Sequence, residues 1–195
     1  MYLAQFLAMP ACLHFALATH ILRYLAGTKH LALMFGTPSD NVPESLTAFM
    51  QASACSDADW ASDAHDRKSI SGFGFFYMGS LVSWSAVKQK SVALSSTESE
   101  YYAMSHAFKE ALWLRVFLQS LDLPVPMPFP MLTDNQAACA LSESPAISKR
   151  SKHINVHHHF IREHVRKGSF STIWIPTHDM PTDIFTKPLK PTLFT

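Results

Sequence analysis

Residues 88–104 read Lys88-Gln-Lys-Ser-Val-Ala-Leu-Ser-Ser-Thr-Glu-Ser-Glu-Tyr-Tyr-Ala-Met104, and the change of period around them decides the fold. Before this stretch, Phe73 to Tyr77 and Leu81 to Ser85 are short runs rich in aromatic and aliphatic residues. They meet across Gly79-Ser80, where a glycine can take positive φ, so they predict a β-hairpin. After it, Met104, Ala107, Phe108, Ala111, Leu112, Leu118 and Leu121 recur at helical spacing and predict a helix over 97–121 with one buried face. The start of that helix is marked twice. Ser95-x-x-Glu98 and Thr97-x-x-Glu100 both have the form of a capping box, so spacing alone does not choose between the two glutamates.

Upstream, Phe49 to Ser56 predicts a strand that ends at Asp57 and adds a third antiparallel strand to the hairpin. Downstream, Pro124, Pro126, Pro128 and Pro130 interrupt the chain before a fourth strand ending at Thr133. Asp134 then stands where that strand turns into a helix. A basic helix over about 152–167, a strand from Phe170 to Ile175 and a short helix opened by Asp183 complete an α/β order.

The 195 residues fit one medium domain with an appendage, and 48% apolar residues suffice for a core. A net charge of +1 does not advertise a nucleic-acid binder, but its distribution is uneven. From Lys149 to Lys190 eight Lys or Arg face only Glu163, Asp179 and Asp183, which makes that end the place for a polyanion to dock. Cys12, Cys55 and Cys139 are odd in number and far apart, so they support neither a disulfide framework nor a zinc knuckle, and a reducing interior is the expected setting. The apolar N-terminus carries no Lys or Arg before Arg23 and is interrupted by Pro10, His14 and His20, which argues against a signal or membrane segment.

Four acids, Asp57, Glu98, Asp134 and Asp183, each stand at a strand end or a helix start. Taken singly each has a structural explanation, as a helix cap or a solvated charge. Their surroundings are more specific. Ser56-Asp-Ala-Asp-Trp-Ala61, Arg67-Lys-Ser-Ile-Ser-Gly72, Val82-Ser-Trp-Ser85, the 88–98 stretch, Glu100-Tyr101, Thr133-Asp-Asn-Gln-Ala137, Ser151-Lys-His-Ile154, His159-Phe-Ile-Arg-Glu163 and Asp183-Ile-Phe-Thr-Lys-Pro-Leu189 follow one another in order. This series resembles the RNase H domain of copia-type (Ty1/copia) retrotransposon polyproteins, over roughly residues 46 to 190. The resemblance implies an RNase H-like fold, a five-stranded mixed sheet flanked by helices. It implies Asp57, Glu98, Asp134 and Asp183 as ligands of two Mg²⁺ ions, with Mn²⁺ as a substitute, hydrolysing the RNA strand of an RNA/DNA hybrid. The setting it implies is cytoplasmic, in a virus-like particle, and nuclear. All-oxygen donors suit such hard cations.

Arg67, Lys68, Ser69, Lys88 and Gln89, with Asn135 and Gln136 beside Asp134, are the candidates for backbone contacts, since hybrids are read by shape and 2′-hydroxyls. Asp59, Asp63 and Asp66 crowd the loop after Asp57 and are read as solvated charge. His153, His157, His158, His159 and His164 offer a rival metal site, because His153 and His157 are four apart and share a helix face. The segment lacks a carboxylate or thiolate partner, which favours a phosphate-facing helix. Asn155 stands where the similar sequences carry Asp, and His178-Asp-Met-Pro181 departs from their small acidic or polar run. Integrases share the fold, but their acidic pattern ends in Glu. A catalytically silent relic or a binding module with this fold is the second reading.

Residues 1–36 resemble the end of the reverse transcriptase that precedes RNase H in such polyproteins, and that region is the expected partner. From the residues themselves, Leu13, Leu17, Ile21, Tyr24 and Leu25 predict an amphipathic helix that Gly27 ends. The sequence has no Tyr-x-Asp-Asp polymerase motif. Residues 37–45, with two prolines among polar residues, predict a linker.

Overall fold

The computed structural model describes residues 2–35, 51–144, 155–187 and 189. The chain divides into two compact units, Met1–Met34 and Phe35–Thr195. The expected linker over 37–45 and the first residues of the expected domain lie outside the described residues.

The first unit holds a 3-10 turn, Tyr2–Phe6, and the helix α1, Cys12–Gly27. The His14 ring stacks on Phe6 and accepts a hydrogen bond from the Ala11 N–H at 2.9 Å, which caps the helix start. None of the α1 residues is buried. No helix among the described residues is long and apolar enough to cross a membrane.

The second unit is built on a five-stranded mixed sheet. Its strands are β1 (Ala52–Asp59), β2 (Ile70–Tyr77), β3 (Ser80–Lys88), β4 (Phe129–Thr133) and β5 (Phe170–Trp174), in the order β3-β2-β1-β4-β5. The first three are antiparallel and β4 and β5 run parallel to β1. Parallel strands need crossover connections. α2 (Ser96–Ser120) is the one from β3 to β4, and α3 (Gln136–Glu143) with α4 (Asn155–Arg166) links β4 to β5. A last short helix, α5, spans Asp183–Thr186.

The predicted period of α2 is what fills the core. Tyr101, Met104, Phe108 and Ala111 form one buried cluster with Ala52, Ala54, Phe75, Phe129, Met131, Ile161 and Phe170. On the other face of the sheet a smaller cluster joins Cys55, Leu132, Ile175 and Met180. α5 lies close against β2 on that account of size: a Cβ on Gly72 would stand 2.7 Å from Thr186 Cγ2 and 3.0 Å from Phe185 Cβ. Only glycine at 72 admits the helix.

Three strands run beyond the expected boundaries: β2 begins at Ile70 rather than Phe73, β3 continues to Lys88 rather than Ser85, and β1 passes Asp57. Asp57 does not close β1 but pairs with Gly72, and the antiparallel ladder continues to Asp59 opposite Ile70.

Candidate active site

Parallel pairing sets the first two acids side by side. β1 and β4 are in register with Ala54 opposite Met131 and Cys55 opposite Leu132, so the same offset brings Asp57 alongside Asp134. Strand alternation puts Asp57 on the face of Cys55, the side of the smaller cluster. The third carboxylate comes from the other side. Glu100, in the second turn of α2, reaches the Ala58 N–H and is buried. Carboxylate oxygens of Asp57, Glu100 and Asp134 lie within 4.8 Å of one another, and this is the one such cluster of potential metal ligands among the described residues.

Glu98, one of the four acids expected at the site, is not part of this cluster. Ser95 is the N-cap of α2, its hydroxyl accepting the Glu98 N–H at 3.1 Å, and the Glu98 carboxylate turns back to accept the Leu94 N–H at 2.8 Å. Two residues along a helix are about 200° of rotation, so Glu98 and Glu100 cannot face the same place. The signal that separates them was in the sequence. Positions three, four, seven, eight and eleven after Glu100 are Ala103, Met104, Ala107, Phe108 and Ala111, all buried, so Glu100 stands on the core face.

Asp183 stands at the start of α5 and reaches the others through a cation. Lys187 Nζ lies 2.6 Å from Asp183 Oδ1 and 3.3 Å from Asp57 Oδ1. Asp57 Oδ2 accepts a hydrogen bond from the Thr186 hydroxyl. Asp134 is held by the end of β5 and the segment after it: Trp174 Nε1, from the last residue of the strand, donates to its carbonyl at 3.0 Å, and Thr177 Oγ1 donates to its carboxylate at 2.9 Å. Thr177, Thr186 and Lys187 are partners that the sequence reading did not single out.

The electrostatics are those of crowded, dry acids. Burial raises the Asp57 pKa, Thr186 and Lys187 oppose the rise, and Asp183 and Asp134 add to it. Burial, then Asp57 and Asp134, push Glu100 up to about 9. Lys187 loses from burial but gains more from Asp183 and Asp57, and its pKa is raised overall. Glu100 Oε2 is buried with no hydrogen-bond partner among the described residues. An oxygen-only donor set with an unsatisfied buried carboxylate oxygen fits a hard divalent cation.

Several of the expected substrate contacts are used internally. Ser69 is buried and accepts the Ala61 N–H at 3.0 Å. Gln89 donates to Ser71 Oγ at 2.8 Å and to the Ser99 carbonyl at 2.9 Å. Lys88 is paired with Asp63 at 2.5 Å and Asp66 at 3.0 Å. Asn135 caps α3 by accepting the Ala138 N–H at 2.9 Å. Arg67 and Gln136 are exposed, and half-buried Lys68 lies 3.5 Å from Asp66. Three histidines of α4 serve packing, while His159 is exposed. His157 bonds Ser105 Oγ at 2.5 Å, His158 stacks on Tyr101 with centroids 4.0 Å apart, and His164 sits edge-on to Phe160 and Phe170. His153 lies outside the described residues.

The chain is 36% identical over 192 residues to the retrovirus-related Pol polyprotein from transposon RE1 of Arabidopsis thaliana, covering 98% of this chain. It is 39% identical over 184 residues, 94% of the chain, to that from transposon TNT 1-94 of Nicotiana tabacum. The chain belongs to the retrovirus-related Pol polyproteins of transposons. It spans 12% and 13% of the length of those two Pol polyproteins. No family model matches it. Among solved structures, LC11-RNase H1, isolated from compost, superposes with a TM-score of 0.52 at 13% identity, covering 70% of this chain and 93% of that one. This Pol segment therefore has the RNase H fold.

Proposed function

We propose that the chain is the RNase H module of its Pol polyprotein, hydrolysing the RNA strand of RNA/DNA hybrids with two divalent cations, Mg²⁺ or in its place Mn²⁺. The observation that carries this reading is the meeting of Asp57, Glu100 and Asp134 from three separate elements within 4.8 Å on this fold. Asp183 is the fourth ligand, and Glu100 takes the part that the resemblance gave to Glu98. Bound there, such cations supply Lewis-acid activation of water and stabilisation of the leaving oxygen. The residues of the chain prepare the place. Asp57 and Glu100 are buried carboxyls whose ionised forms burial disfavours until a cation enters. Thr177 and Thr186 orient Asp134 and Asp57 by their hydroxyls. Arg67, Lys68 and Gln136 are the candidates left for contact with the hybrid backbone. The unit Met1–Met34 is read as the end of the reverse transcriptase region, the partner of this module.

The test is a hybrid with each strand labelled, incubated with purified chain. With Mg²⁺ or Mn²⁺ the RNA strand is cleaved and the DNA strand stays intact, and chelation stops the reaction. Cleavage of the DNA strand, or cleavage in EDTA, overturns the reading. Hybrid binding without turnover in either metal identifies a silent binding module instead.

A further inference from the structure

Both oxygens of Asp57 are engaged by consecutive residues of one short segment. Thr186 donates to Oδ2, and the Lys187 ammonium stands 3.3 Å from Oδ1 while contacting Asp183 Oδ1 at 2.6 Å. Among the described residues Lys187 is the one basic side chain in an ion pair with any of the four acids. Asp57 is almost fully buried, and a buried carboxylate without a cation beside it is costly. We propose that Lys187 is a tethered counter-cation of this site: it neutralises Asp57 and Asp183 while no metal is bound, and divalent ions must displace it to enter.

This inference rests on the metal reading given above and adds what sets the affinity. The oxygens Lys187 holds, one on each of two acids, are those a cation between Asp57 and Asp183 would take. Thr186 cannot easily yield in its place, since Gly72 leaves its methyl and Phe185 no spare room against β2. Lys187 is on a flexible four-carbon stem and its side chain is 31% exposed, so it has a route to solvent without movement of the helix. Its spacing from Asp183, four residues, keeps it beside the site after displacement. A purely structural ion pair has the opposite consequence, because removing it disturbs Asp183 and weakens the metal site.

Calorimetric titration of the full chain with Mn²⁺, together with thermal unfolding in EDTA, separates the two. Lys187→Met is expected to bind Mn²⁺ at least about fivefold more tightly than the parent, the factor one unit-charge interaction at about 4 Å carries even in water. The same variant is expected to unfold at lower temperature in EDTA and to recover when Mn²⁺ is added. Lys187→Gln, which keeps a polar head, is the second variant and is expected to change in the same direction. Mn²⁺ affinity equal to or weaker than the parent's in both variants overturns the inference and leaves the metal reading standing. If parent and variants alike bind no Mn²⁺, the metal reading fails and the inference fails with it.

Discussion

Asp57 and Asp63 are six residues apart, one within β1 two residues before its end and the other in the loop that follows, and the structure gives them opposite electrostatics. Asp63 is surrounded by donors: its Oδ1 accepts the His65 N–H at 2.8 Å and the Asp66 N–H at 3.3 Å, and its Oδ2 meets Lys88 at 2.5 Å. Those hydrogen bonds, Lys88 first, hold its pKa well below the usual carboxylate range. Asp57 is buried among other acids, and burial raises its pKa against the pull of Thr186 and Lys187. An acid that its own fold has already satisfied is finished. Acids that the fold gathers and leaves facing one another need a cation, and that difference, not the number of acids, marks the site.

The largest expected effect tests this contrast directly. Asp57→Asn is expected to lower Mg²⁺-dependent cleavage of the hybrid by at least about a hundredfold, the scale on which a single charge-stabilising group commonly acts. Asp63→Asn is expected to leave the rate near that of the parent. Steady-state rates on a labelled hybrid compare the two, and equal losses would erase the distinction between the clusters.

A finer contrast lies within α2. Glu100→Gln is expected to lose turnover as Asp57→Asn does, because it removes a carboxylate from the cluster. Glu98→Ala is expected to keep turnover and to cost about 1 kcal/mol of stability, as the loss of a helix-start cap does. Denaturant unfolding and cleavage measured on both variants decide it. Loss of turnover in Glu98→Ala with turnover kept in Glu100→Gln would return the ligand role to Glu98.

The elements themselves were legible because period and punctuation agree. The Gly79 turn, the apolar spacing of α2 and the proline-marked entry to β4 all lie where the sequence predicts them. Three of the four expected acids, Asp57, Asp134 and Asp183, come to one end of the sheet. The choice between Glu98 and Glu100 was not legible from capping boxes, since both spacings fit. Lys187 was hidden for a different reason. An Asp-Lys pair four apart reads as surface, and its second partner, Asp57, is 130 residues away in sequence. Ser69, Gln89 and Asn135 are polar residues in plausible loops, and only tertiary contacts show that their hydrogen-bonding capacity is already engaged.

The third expected effect is on pH. Burial, with Asp57 and Asp134 adding to it, raises the Glu100 pKa to about 9 from an ordinary 4.5. Between those values the unfolded chain releases a proton that the folded chain keeps, so the stability contributed by this group is complete below the unfolded value and is lost as pH rises toward 9. In EDTA the Tm is therefore expected to fall from pH 6 to pH 8.5, by at least about 2 °C more in the parent than in Glu100→Gln. A parallel course in the two proteins would show that Glu100 is not the group held protonated. Added Mn²⁺ is expected to flatten the parent's profile, since a bound cation replaces the proton.

The smallest effect expected on the chemistry is from the first unit. Every residue of both buried clusters lies between Ala52 and Met180, and α1 contributes none. α1 instead exposes Leu13, Phe15, Ile21, Leu22 and Leu25, an apolar surface of the kind that pairs with another body or promotes association. Deleting residues 1–34 is therefore expected to leave the cleavage rate unchanged, to keep the Tm within roughly 2 °C, and to reduce self-association seen by light scattering. The comparison is sharpest at high salt and high protein concentration, where charge repulsion is screened and apolar association remains. If the deletion instead unfolds the sheet, α1 belongs to the core of the RNase H unit and the division of the chain at residue 34 is misplaced.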